Sequence, residues 1–195
     1  MRCLTLFILC CCCLGAPRGL QAQTATAPAL QRFGVVLLLP DAQMQERVQS
    51  IDALASYLKA VEAAVAGVTA QPGWEANAGF VVLVVRPGPE ARAWWDMQQP
   101  VAAAQQQELT AAVTAVTPFV ARRGPVVVAL KLGWGGAPEP QRRAPAPPEW
   151  KAIAKAAGRA LPLDDLVLAA WPTAPQPWGR DPAASAASAP ASAPS

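Results

Sequence analysis

The chain contains no histidine, and its five cysteines, Cys3, Cys10, Cys11, Cys12 and Cys13, all lie near the start. Ser-His-Asp and Cys-His nucleophile arrangements are therefore ruled out downstream. So are the His/Cys ligand sets of zinc and most transition-metal sites, and Cys-x-x-Cys redox chemistry. Carboxylates, lysines and hydroxyls remain; four places bring them into a pattern, and a glycine-rich turn is a fifth candidate. Asp96 follows Trp94 and Trp95. Together they can line a sugar- or peptide-binding groove, although an aspartate that blunts a sheet edge explains the same residues. Asp164-Asp165 is an adjacent pair, but consecutive side chains diverge, and aspartate ahead of an apolar run is a common helix cap. Ser56 and Lys59 stand i, i+3 apart, the one spacing that offers a hydroxyl a base; Ser50 has none. Gly133-Trp134-Gly135-Gly136 follows an apolar run as phosphate loops do. It lacks the Gly-Lys-Ser/Thr ending, so a turn displaying Trp134 is the simpler reading. Lys151, Lys155 and Arg159, spaced by four, predict one basic helix face beside Arg142 and Arg143. That face suits an anionic lipid headgroup or an acidic protein, or is simply solvated. No catalytic residue, metal site or cofactor is assigned.

These residues must be positioned by the apolar segments between them. Phe80–Val85 is an unbroken, β-branched run that suits a pleated surface and reads as a strand buried on both faces. Arg86-Pro87-Gly88-Pro89 stops it, since proline cannot donate to a ladder and glycine permits reversal. Arg92–Asp96 then pairs back antiparallel as an edge strand. Adjacent strand side chains point to opposite faces, so Trp94 and Trp95 cannot share one core, and one of them is expected to meet solvent, a partner or the C-terminal segment.

Phe33–Leu39 and Pro125–Leu132 are further apolar strands. Asp41–Val68 carries Met44, Val48, Ile51, Leu54, Leu58, Val61, Val65 and Val68 at three- and four-residue steps, which predicts one long amphipathic helix capped by Asp41. Trp74 falls in the loop after it, as a plug over the core edge. Pro100 opens a second helix, broken near Pro118 and closed by Arg122, Arg123 and Gly124. Trp150–Leu161 is a third helix. Asp164–Trp171 is ambiguous between strand and helix.

The order β-α-β-β-α-β followed by a helix predicts an α+β fold, a ferredoxin-like sandwich with an extra C-terminal helix. That sandwich leaves one sheet face open, yet its strands are apolar on both. Either Trp150–Trp171 covers the second face or another chain does. The alternative is a three-layer α/β fold with a parallel sheet and one antiparallel edge strand.

The start reads as a signal peptide: Arg2, then an apolar Leu4–Leu14 too short to span a membrane, with cleavage expected after Ala22 or Ala27. Residues 23–31 form a linker, 32–172 one globular domain, and 173–195 a disordered Ala/Ser/Pro tail. Removing Arg2 and Arg18 from the 16 basic residues leaves 14 against 13 acidic ones. A near-neutral mature chain offers no electrostatic case for nucleic acid. The expectation is an exported protein, periplasmic or extracellular, with no transmembrane span after processing. It acts as a non-enzymatic binding domain of the cell envelope, with a protein partner or a second copy on the sheet face or the tryptophan edge. The alternatives are a carboxylate-dependent hydrolase acting on envelope glycans through Asp96, and a binder of anionic surfaces through the basic face.

Overall fold

The computed structural model describes residues 30–88 and 90–171. The expected signal peptide, its cleavage sites and the C-terminal tail lie outside these residues. Four strands, β1 (Gln31–Leu37), β2 (Asn77–Arg86), β3 (Glu90–Met97) and β4 (Val126–Trp134), form one sheet in the order β1-β4-β2-β3. Every neighbouring pair is antiparallel. The helices are α1 (Asp41–Arg47), α2 (Ile51–Thr69), α3 (Ala103–Thr114), α4 (Pro148–Ala157) and α5 (Leu163–Ala170). The fold is thus α+β, with an antiparallel sheet and five helices among the described residues. None of those helices is long and apolar enough to cross a membrane.

The expected strand order is corrected. In a ferredoxin-like sandwich β1 and β3 are the central strands, whereas here β2 and β4 are central and β1 and β3 are the edges. The parallel-sheet alternative is overturned by the antiparallel ladders. The centre goes to the two strands that can be enclosed on all sides. All ten residues of β2 are buried, and so are all of β4 except Lys131. β1 is apolar from Phe33 onward but is a half-exposed edge, with Val35 at 40% and Leu37 at 50% exposure. An apolar run cannot distinguish a central strand from an edge, because side-chain periodicity reports the two faces and not the ladder.

The two tryptophans of β3 reveal how the sheet is covered. Trp95 lies opposite Val81, and its Nε1 donates to Thr110 Oγ1 on α3 at 2.9 Å. On that face α2 and α3 pack over Val81, Leu83 and Leu130, with Leu54, Leu58, Val61 and Val65 of α2 buried. Trp94 points the other way, as the pleat requires. It meets Trp150 of α4 edge-on at 5.5 Å and Trp171, just past α5, at 6.0 Å. The Trp150–Trp171 segment therefore covers the second face, and Asp164–Trp171 is a helix there.

Three local expectations also change. The long first helix is two: Val48 turns extended and bridges to Ala121, and Ser50 then caps α2 by accepting from the Ala53 N–H at 3.1 Å. A local cap and one backbone bridge outweigh the continuous apolar stripe. α3 ends at Thr114, before Pro118, so Arg122 and Arg123 lie in the connection to β4 rather than at a helix end. α4 stops at Ala157, where Gly158 takes the left-handed conformation (φ 64°). Arg159 thus lies beyond the helix, and only Lys151 and Lys155 share the expected basic face.

Candidate functional site

At the end of the sheet where β2 begins and β4 finishes, a cleft of about 510 Å³ opens between the α2–β2 loop and the start of α3. Its walls are Trp74, Glu75, Asn77, Gln99, Gln105 and Trp134, together with Gly73, Ala76 and Pro100–Ala102. That volume falls in the range of small-ligand sites, and the lining combines aromatic surface with a few placed polar groups.

Each wall is fixed by a specific contact. The Trp134 indole donates to the Glu75 carbonyl at 2.9 Å and packs edge-on to Trp74 at 5.9 Å. Gly135 follows with φ 64°, and a Cβ there would stand 2.7 Å from the Ala76 Cα. Only glycine lets the two loops approach this closely. Asn77, buried at the first position of β2, clamps the opposite rim. Its Nδ2 donates to the Gln99 carbonyl at 2.9 Å, and its Oδ1 accepts the Gln99 N–H at 3.1 Å. Gln105 Nε2 donates to the Gly73 carbonyl at 3.0 Å, tying α3 to the loop. α3 starts at Ala103, and its N-cap residue Ala102 provides no side-chain cap.

Around the corner of the same sheet end is a shallower recess lined by Asp96, Met97, Gln98, Gln99, Arg142 and Lys151. Gln99 belongs to both recesses. Asp96 is 5% exposed. Its Oδ2 accepts from Arg142 Nη1 at 2.5 Å and from the Ala146 N–H at 2.6 Å, while Arg142 Nη2 reaches the Asp96 carbonyl at 3.3 Å. Asp96 thereby fastens the β4–α4 loop to the end of β3.

Of the residues singled out by sequence, Trp94 and Trp95 are interior, 8% and 5% exposed, and form packing layers on opposite faces. Trp134 is also buried, at 2%, yet one edge of it lines the cleft. Asp96 and Lys151 meet in the neighbouring recess. Lys155 is exposed farther along α4, and Arg159 donates to the Ala160 carbonyl at 3.4 Å. Asp164 is paired with Arg47, Nη2 to Oδ2 at 2.7 Å. Sequence reasoning passed over Asn77, Gln99 and Gln105, and it named Arg142 only as part of the basic cluster. Of these only Asn77 carried a signal, an amide at the head of an otherwise apolar strand. Neither a family model, nor a curated protein, nor a solved structure matches this chain.

Proposed function

We propose that the chain is an exported, non-enzymatic binding domain of the cell envelope, and that the Trp74–Trp134 cleft is its ligand site, taking a saccharide unit of an envelope glycan. The cleft carries this reading. It offers the half-buried Trp74 indole for the apolar face of a sugar ring, with the exposed Gln99 side chain and the Gln105 side-chain oxygen for its hydroxyls. A partner on the sheet face rested on that face being open, and the chain's own helices cover it. Hydrolysis needs a general acid and a second carboxylate at a defined separation. Among the described residues Glu75 is the single carboxylate lining the cleft, and Asp96 is held by Arg142 and the Ala146 N–H, so the hydrolase alternative has less support.

The test is a titration of the mature chain with N-acetylglucosamine oligosaccharides, followed by tryptophan fluorescence and calorimetry. Saturable binding is expected, and Trp74→Ala should weaken it about tenfold or more, the loss of one buried aromatic anchor, without changing the circular dichroism spectrum. Absence of binding to these oligosaccharides and to purified sacculi at millimolar sugar would end the reading.

A further inference from the structure

The recess that shares Gln99 with the cleft is not required by a neutral sugar, and its chemistry differs. We infer that the ligand carries an acid group, so that the site takes an acidic saccharide whose carboxylate meets Arg142 and Lys151 while its ring occupies the cleft. This rests on the cleft being the ligand site.

Arg142 is held in place without being used up. Asp96 accepts from Nη1 and its own carbonyl from Nη2, which fixes the guanidinium plane, while the side chain stays 41% exposed. A guanidinium has five donors, so N–H groups remain to face a ligand at no further ordering cost. Asp96 is the opposing charge in this recess. It is buried beneath Arg142 and already accepts two hydrogen bonds, so the cation presents itself outward. Lys151, exposed on the first turns of α4, lines the same recess and makes no ion pair among the described residues. The recess lining carries Arg142 and Lys151 against Asp96 alone, a net of one positive charge. A local positive potential of this kind favours an anionic group and speeds its encounter. The other lining groups, Gln98 and Gln99, are neutral amides that can donate to a carboxylate or accept from a neighbouring hydroxyl.

The experiment compares two glycans of equal length on the full mature chain. One is a neutral N-acetylglucosamine oligomer. The other alternates N-acetylglucosamine with N-acetylmuramic acid, whose lactyl group supplies the carboxylate. The acidic glycan should bind about tenfold more tightly at low salt, and that advantage should shrink as salt rises from about 20 to about 300 mM. Lys151→Gln should remove about three- to tenfold of the acidic affinity and leave the neutral affinity unchanged. Lys151 is exposed, so this variant keeps the fold. Equal binding of the two glycans, or an acidic preference untouched by both salt and Lys151→Gln, overturns the inference and leaves the cleft standing. Binding of neither glycan removes the cleft reading itself.

Discussion

Asp164→Ala removes one half of an ion pair that ties α1 to α5. Arg47, at the end of α1, has a side chain only 9% exposed. Its Nη1 and Nη2 donate to Asp164 at the start of α5 at 2.8 and 2.7 Å, and Nη1 also reaches the Pro125 carbonyl at 2.9 Å. A cation so enclosed keeps one neutral acceptor when the carboxylate goes. Breaking a buried pair from one side costs about 3–5 kcal/mol. The Asp164 side chain, however, is 41% exposed, so water can reach the vacated donors. The expectation is therefore about 2–3 kcal/mol, a fall in Tm of roughly 10 °C for a unit of this size. The double variant Arg47→Met with Asp164→Ala removes the stranded charge and should recover to within about 1 kcal/mol of the parent. Urea titration of the parent, both single variants and the double variant gives the coupling directly. If Asp164→Ala costs under about 0.5 kcal/mol, as for an ordinary exposed pair, the clip does not hold α1 to α5 and the reasoning fails.

The remaining predictions follow from the same packing. Trp94→Ala should destabilise by about 3–5 kcal/mol, because Trp94 joins the sheet to both α4 and the residue after α5; a normal melting curve with altered ligand binding alone would contradict an interior role. The Tyr57 phenol is buried without a hydrogen-bond partner among the described residues, and burial pushes it up from 10.0 to about 12. The folded state thus favours the neutral phenol. Its contribution is intact below pH 10 and is lost as pH rises to about 12, a fall on the order of 3 kcal/mol. Tyr57→Phe should be neutral or slightly stabilising at pH 7 and should lack that alkaline loss, which parallel denaturant curves at neutral and high pH would reveal. Val35→Thr on the exposed edge should change stability by less than about 0.5 kcal/mol, whereas Val82→Ala in the closed centre of the sheet should cost about 2 kcal/mol or more. Equal effects would show that the two strands are not edge and centre.

Much of the candidate site was hidden in the sequence for a physical reason. Trp94-Trp95-Asp96 attracted notice as a run of aromatic and acidic residues, but the pleat sends the two indoles into opposite layers and the carboxylate to Arg142. Trp134 drew notice as an aromatic in a glycine-rich turn and does line the cleft. Its partners, Trp74, Asn77, Gln99 and Gln105, come from separate segments, and their amides carry no periodicity and no motif. Lys151, Lys155 and Arg159 have helical spacing in the chain, yet Gly158 ends α4 before the third.

The sequence by itself determined which chemistry the downstream chain can hold, because mechanisms that need imidazole or thiolate cannot proceed without those atoms. It also determined that Phe80–Val85 and Pro125–Leu132 hold strands and that Asp41–Val68 is amphipathic helix in character, though not that it breaks at Val48, since β-branching and side-chain period act within a few residues. Only the tertiary structure decided that β2 and β4 take the centre while β1, apolar from Phe33 onward, takes an edge, that α4 and α5 cover the second face, and that two loops and a helix start meet as a cleft. Those outcomes depend on which ladders pair and which layers enclose them. Such contacts join residues far apart in the chain, and local propensity carries no record of them.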